Sequence, residues 1–328
     1  MVAKPVATRH VILMVLLLSS RQASENTVRI ERTQPRRRGT APPLKAAMHC
    51  EAAFRTVASH YLGDLTAQHR ASCEGNADAL HQMRLALTRL RTAIAFFSPM
   101  VAGPQQMRLK DELRWLNAHL GAVRDIDVAI ERLNEVNKRR SQAENKLWSR
   151  ERADKQRNLT RVLRSVRYRR LVKSISDWIE NGSWSTKRGK PAANQRACPV
   201  TDYSERKLTL WQEKLIKRSR RLREIGAEKR HRLRLMNKRF TYAIESVAGL
   251  ASEGETSKLR TMLRVLRKAQ RSLGQLNDDA RYRSLATKLG RGDAEVSKAL
   301  LGHKHEKRLL RAAAEAYEKL ADLKPLRL

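Results

Sequence analysis

Ala79-Leu80-His81-Gln82-Met83-Arg84-Leu85-Ala86-Leu87-Thr88-Arg89-Leu90-Arg91 separates into two stripes when it is placed on a helix at about 100° per residue. The polar stripe is formed by His81, Arg84, Thr88 and Arg91, whose spacings of 3, 4 and 3 residues follow the helical turn. The opposite stripe is apolar and contains Met83, Leu87, Leu90, Ile94 and Phe97. Such a helix packs its apolar face on a core and presents its basic face to anions.

The same pattern returns 150 residues later, in His231-Arg232-Leu233-Arg234-Leu235-Met236-Asn237-Lys238-Arg239-Phe240. His231, Arg234 and Lys238 take the polar stripe there. A second motif, Leu-Gly followed by Asp, also occurs twice. It reads Leu120-Gly121 with Asp125 and, 153 residues later, Leu273-Gly274 with Asp278. Two motif pairs in the same order at nearly the same offset predict a tandem repeat built around two basic helices.

Composition supports a helical, strongly basic protein. The 328 residues include 69 Lys and Arg against 33 Asp and Glu, which gives a net charge of +36. This charge repels itself unless counterions or a polyanion neutralise it, so an anionic polymer is the expected partner. Glycine and proline are scarce, at 14 and 9 residues, and runs typical of strands are few. We therefore predict an all-α fold.

Breaker-rich stretches divide the chain into four parts: a basic N-terminal extension, residues 1–43; a first helical half, 44–180; a linker, 181–204; and a second helical half, 205–328. The apolar run at 11–18 is too short to span a bilayer. It has the length of a signal-peptide core but lacks a good cleavage site, so a signal, a loose extension and a misplaced start codon stay open. We expect no integral membrane association.

Helical spacing of apolar residues predicts several further elements. One helix is expected within 44–71, another from about 105 that is renewed after Gly121 and reaches about 140, and one long helix over 142–180. The second half should hold helices at 205–225, around His231, after Gly254 and over 301–323. Cys50, Cys73 and Cys198 are isolated, so we expect free thiols rather than a disulfide framework or a metal motif.

The histidine and arginine motifs resemble those of the conserved histidine α-helical domain, CHAD. The first copy carries the resemblance at His81-Gln82-Met83-Arg84, Arg89-Leu90-Arg91 and Leu120-Gly121 through Arg124-Asp125-Ile126-Asp127-Val128. The second copy departs from it, because Thr241, Asn237 and Asn277 replace a basic, an apolar and a basic residue. The resemblance covers roughly residues 45–325.

The resemblance implies two pseudo-twofold related antiparallel helical bundles around a basic central channel. It also implies binding of inorganic polyphosphate, in the cytoplasm and at polyphosphate granules. Polyphosphate offers about one negative charge per phosphate, so cations one helical turn apart, about 5.4 Å, suit it. The candidate binding residues are His81, Arg84, Arg89, Arg91, Arg114, His231, Arg234, Lys238, Arg239 and Arg267. Lys110, Lys268 and Arg271 are weaker candidates.

Asp125 and Asp127 invite a catalytic or Mg²⁺ interpretation. We instead expect them to cap the helix after Gly121 or to pair with neighbouring arginines, because no nucleophile motif or phosphate-cradling glycine loop accompanies them. Asp278 and Asp279 are interpreted in the same way. The sequence therefore predicts a non-catalytic binding protein with no cofactor and no metal. A nucleic-acid-binding basic helical protein is the alternative, although aromatic residues are only 5% of the chain and stacking platforms need them.

Overall fold

The computed structural model describes residues 41–136, 142–288 and 303–328, and these residues confirm the all-α prediction. They form twelve α-helices, a 3₁₀ turn at Ala248–Leu250 and one isolated bridge between His49 and Pro199. The helices are α1 Cys50–Ala67, α2 His69–Cys73, α3 Ala77–Phe96, α4 Ser98–Val101, α5 Pro104–Val136, α6 Gln142–Arg164, α7 Val166–Asn181, α8 Lys190–Ala197, α9 Val200–Ser219, α10 Ala227–Val247, α11 Glu253–Lys288 and α12 His303–Ala321.

Helix α3 begins and packs as its sequence predicts. Its first turn is capped by the Asn76 side chain, whose Oδ1 accepts a hydrogen bond from the amide of Ala79 at 2.9 Å. The apolar stripe is fully buried, with Met83, Leu87 and Leu90 at 0% exposure. That stripe belongs to the core shared with α1 and α5, so the basic stripe is turned the other way.

Helix α5 corrects the prediction of a break after Gly121. It runs without interruption through Gly121, so Asp125 and Asp127 lie in a helix interior and cannot cap a helix start. Glycine lowers helix stability by only about 1 kcal/mol, which the buried apolar side chains on both sides, Leu120 and Val123 among them, offset. The expected end near 140 lies outside the described residues.

The long helix predicted over 142–180 is instead two helices. Ser165 separates α6 from α7, and its Oγ accepts a hydrogen bond from the amide of Tyr168 at 3.1 Å, which caps α7. In the predicted linker, α8 occupies Lys190–Ala197 and α9 already begins at Val200. All described residues belong to one compact unit, Ala41–Leu328, and the predicted extension before residue 41 lies outside them.

Aromatic rings fill the core beneath α1. The ring of Phe54 makes edge contacts with Trp178 and Trp184, with centroids 5.5 and 5.2 Å away. The Trp184 indole Nε1 donates to the carbonyl oxygen of Trp178 at 2.8 Å. Gly182 makes this return of the chain possible, because a Cβ there would lie 2.6 Å from two atoms of the Trp184 ring.

None of the described helices is both long and apolar enough to cross a membrane.

Because Gly182 lies so close to Trp184, Gly182→Ala should destabilise the protein by about 1–3 kcal/mol. The added methyl group forces Trp184 away from Trp178. Urea unfolding measures this loss. Gly63→Ala is the matched control, because a Cβ at that helical position meets nothing within 4 Å. It should be neutral or slightly stabilising. Equal stability of the two variants would contradict this account of the core.

Candidate functional site

The polar faces of α3, α5, α10 and α11 enclose a cavity of about 650 Å³, which we call the basic cavity. Its charged lining comprises nine Lys and Arg side chains against two Asp side chains, an excess of seven positive charges with both histidines neutral. The charged residues and histidines that line it are His81, Arg84, Arg91, Lys110, Arg114, Arg124, Asp125, His231, Arg234, Lys238, Arg239, Asp278 and Arg281.

The structure brings together eight of the ten residues predicted from sequence. The eight are His81, Arg84, Arg91, Arg114, His231, Arg234, Lys238 and Arg239. Arg89 and Arg267 do not line the cavity, and both instead contact the Glu245 carboxylate, at 3.4 and 2.9 Å. Arg114 lies at the cavity's outer part, where its side chain is 70% exposed and donates to Asp111.

The two Leu-Gly motifs lie against the two motif arginines. A Cβ on Gly121 would lie 3.1 Å from Nη1 of Arg84, and a Cβ on Gly274 would lie 3.9 Å from Nε of Arg234. Both of these nitrogens are buried, and neither has a hydrogen-bond partner among the described residues. The glycines thus admit the arginine side chains close to the backbones of α5 and α11, and the fit is tighter in the first case.

The two histidines have different surroundings. Burial lowers the pKa of His81, and the charges of Arg124 and Lys238 lower it further, so the free protein holds this side chain neutral at pH 7. His231 is hydrogen-bonded instead, with Nδ1 2.5 Å from Oδ1 of Asn277. Asn277 stands 153 residues after Arg124. In the first copy, His81 thus has the positive charge of Arg124 nearby. In the second copy, His231 has the amide oxygen of Asn277 instead.

The carboxylates of α5 pair with arginines from other helices, as one of the two sequence alternatives proposed. Asp125 accepts a hydrogen bond from Arg281 of α11, and Asp127 accepts one from Nε of Arg152 at 2.7 Å. Burial raises the pKa of Asp125, and Arg281 and Arg84 oppose that rise. Within the described ranges no cluster of three or more His, Cys, Asp or Glu side chains is arranged to hold a metal ion.

Sequence reasoning missed Arg281 and treated Arg124 only as a member of a motif. The repeat gives no signal for Arg281, because the residue 153 positions earlier is Val128. The one available signal is local, since Arg281 stands three residues after Asp278 and shares its helix face.

Lys238 is the most perturbed cation of the basic cavity. Burial lowers its pKa to about 8, and the neighbouring charges of Arg234, Arg84 and Arg89 contribute to the lowering. Burial also lowers the pKa values of Arg84, Arg91 and Arg234. The fold thus keeps positive charge where water solvates it poorly, which makes an anionic ligand the natural partner.

Comparison with known proteins identifies the family. The family model of the CHAD domain matches residues 56–287. The chain belongs to the CHAD domain family. The crystal structure of the CHAD domain from the plant Ricinus communis is similar to it, with a TM-score of 0.72, 26% identity and coverage of 91% of this chain and 100% of that one. The resemblance noted in the sequence is confirmed.

A second solved structure, PptA from Streptomyces chartreusis, shares the fold with a TM-score of 0.57. It is 14% identical and covers 84% of this chain and 99% of its own. The search of curated proteins returned no match.

Anion binding to this CHAD domain should take up protons near pH 8. A bound polyanion raises the lowered pKa of Lys238, so affinity is full below pH 8 and falls as the pH rises through about 8. Calorimetry with inorganic tripolyphosphate in buffers of different ionisation enthalpy measures the uptake. Lys238→Arg is the control, because arginine stays charged over this range and should remove most of the uptake. Uptake of equal size in both proteins would contradict the assignment to Lys238.

Gly121→Ala should weaken tripolyphosphate binding about fivefold, since the new methyl group displaces the Arg84 guanidinium at a cost of about 1 kcal/mol. Gly274→Ala is the matched control, because its Cβ makes only ordinary contact with Arg234. Alanine favours the helix interior by about 1 kcal/mol, so the control should be more stable and bind normally. Calorimetry and thermal unfolding give both quantities. Normal binding by Gly121→Ala would show that the close fit has no role in the site.

Proposed function

We propose that this CHAD domain binds inorganic polyphosphate in the basic cavity and does not cleave it. The observation that carries the proposal is the excess of seven positive charges on the walls of one cavity of about 650 Å³. Four of these cations, Arg84, Arg91, Arg234 and Lys238, are half-buried, so solvent screens their attraction for a polyanion less than it screens surface charges. Membership of a family associated with polyphosphate supports the same ligand.

The lining chemistry suits a chain of phosphates better than a nucleic acid. Guanidinium groups bind phosphate oxygens through paired, charge-assisted hydrogen bonds, and seven of the nine cations here are arginines. Single-stranded nucleic acids add base stacking on aromatic side chains. Of the described residues that line the cavity, one of the Phe, Trp and Tyr type is present, Tyr282, and its ring is already stacked on Trp148. Binding of nucleic acid is therefore the weaker alternative.

The proposal includes a pseudo-twofold pair of helical bundles that form a basic central channel for the polyphosphate chain. The contacts of Arg84 with Gly121 and of Arg234 with Gly274 support it, because each repeat copy brings its basic helix against its own glycine. The copies do not contribute equally. Arg91 lines the cavity in the first, whereas the residue 150 positions later, Thr241, is buried and hydrogen-bonds to the carbonyl of Asn237.

The proposed absence of catalysis is supported by the engagement of the carboxylates. Asp125 is ion-paired with Arg281, and the buried Asp127 is ion-paired with Arg152. A carboxylate that already binds an arginine serves to position that arginine. In the cell, we infer that such binding directs the protein to polyphosphate granules in the cytoplasm.

Replacing Arg84, Arg91, Arg234 and Lys238 together by Ala should weaken binding of long-chain polyphosphate by at least about a hundredfold at physiological salt. The melting temperature should hold much better than the affinity, because the removed charges are destabilised by burial in the folded state. The dependence of log K on log salt should become shallower by about 3 units, since four counterion-releasing contacts are lost. Fluorescence titrations over a salt series measure both.

A variant with Arg218, Arg220, Arg221 and Arg223 replaced by Ala is the charge-matched control. These four arginines are exposed near the end of α9 and lie outside the cavity lining, so the same loss of net charge should cost little affinity. Equal losses of affinity in the two variants would show that the basic cavity is not the binding site. Polyphosphate recovered from the wild-type complex after incubation with Mg²⁺ should keep its chain length, and shortening would contradict the non-catalytic proposal.

A further inference from the structure

Two cysteines that are far apart in sequence stand opposite each other outside the basic cavity. Cys50 is the first residue of α1, and Cys198 follows α8. The isolated bridge between His49 and Pro199 is antiparallel, and the amide of Cys50 donates to the carbonyl of Cys198 at 2.9 Å. The amide of Val200 donates to the carbonyl of Met48 at 3.0 Å, which completes the bridge.

This pairing gives the backbone spacing that a disulfide needs. One hydrogen bond joins the backbones of Cys50 and Cys198, and opposite residues of an antiparallel pair have Cα atoms about 4.5–5.5 Å apart. Disulfides span Cα separations of about 4.4–6.8 Å, most often 5.5–6 Å. The Cys198 side chain also contributes to raising the pKa of Cys50, so the two side chains interact across the bridge. Both cysteines are free thiols in this structure.

The surroundings give the two thiols different parts. Cys198 is partly exposed, and Nη2 of the exposed Arg206 donates to its sulfur at 3.1 Å. Cys50 is 0% exposed, and burial, with a further contribution from Cys198, raises its pKa to about 12. Cys198 is therefore the thiol of this pair that a reagent in solution can reach, whereas a buried thiol is inert towards such reagents.

We propose that Cys198 and Cys50 form a peroxide-sensitive dithiol, in which Cys198 is oxidised first and Cys50 then closes a disulfide. The Cys198 sulfur attacks one oxygen of hydrogen peroxide, the O–O bond breaks, and Cys198 becomes a sulfenic acid with release of one water. The Cys50 sulfur then attacks the sulfenic sulfur, the S–O bond breaks, and the departing hydroxyl takes the Cys50 proton and leaves as a second water. Two thiols lose two electrons, and one peroxide is reduced to two waters.

The disulfide would join the start of α1 to the segment that leads into α9. The cysteines are 148 positions apart, so the cross-link closes a long loop and restricts the unfolded chain strongly. Oxidation should therefore raise the melting temperature of the full chain by about 5 °C. Neither cysteine lines the basic cavity, so the effect on stability is independent of polyphosphate binding.

The test is oxidation of the full chain with a small excess of hydrogen peroxide. Thiol titration after denaturation should fall from three to one per chain, and mass spectrometry of a non-reduced digest should find the peptides of Cys50 and Cys198 joined. Cys73→Ser is the control, because Cys73 contacts His69 rather than either of the other cysteines. It should form the same linkage and fall from two thiols to none.

Two further variants separate the steps. Cys50→Ser should stop at the sulfenic acid, which a dimedone adduct on Cys198 would report, and Cys198→Ser should leave the remaining thiols intact and the melting temperature unchanged by peroxide. Arg206→Met should oxidise more slowly than the wild-type protein, and the same disulfide should form in the end. Three thiols that survive peroxide, a dimedone adduct on Cys73 instead of Cys198, or cross-linked dimers in place of the internal linkage would each overturn the proposal.

Discussion

Positive charges repel one another in the partly desolvated basic cavity, and the packing of the surrounding helices has to hold them in place. The pKa values of Arg84, Arg234 and Lys238 are all lowered, first of all by burial, which means that the fold holds their charged forms at a cost. The apolar faces of the helices that carry them offset this cost by hydrophobic burial. Asp125 and Asp278 relieve only part of the repulsion within the cavity. A bound chain of phosphates would relieve the remainder, so the strain of the free state favours binding.

Helix α3 both buries an apolar face in the core and holds cations at the basic cavity. The side chains of Met83 and Leu87 are completely buried. Arg84 follows Met83 and Thr88 follows Leu87, and both lie on the face turned towards the cavity. Because both stripes belong to the same rigid element, the core fixes the positions of the cations. The close fit of Gly121 against Arg84 then sets how far α3 stands from α5. Packing thus positions Arg84, whereas Arg281 is held by its ion pair with Asp125.

Helical period was enough to predict the all-α fold and most of the candidate site, because the residues that face the cavity alternate regularly with those that face the core. What the period could not give was the identity of tertiary partners. Arg89 lies at the margin of its stripe and is drawn to Glu245, a carboxylate on another helix. Arg281 enters the cavity although Val128 stands at the equivalent repeat position. The break at Ser165 was missed for a different reason, since a single serine caps a helix without interrupting the apolar pattern.

The central claim is that the cavity selects polyphosphate, and that the net charge of +36 alone does not explain binding. Competition is the most direct measurement: residues 41–328 bound to labelled long-chain polyphosphate at physiological salt, with unlabelled polyphosphate, duplex DNA and single-stranded RNA as competitors at equal phosphate concentration. We expect that only polyphosphate displaces the label efficiently, because an arginine-rich and almost non-aromatic cavity offers bases little to stack on. Displacement by DNA or RNA at the same concentration would contradict it and would show that the charge acts without regard to the cavity.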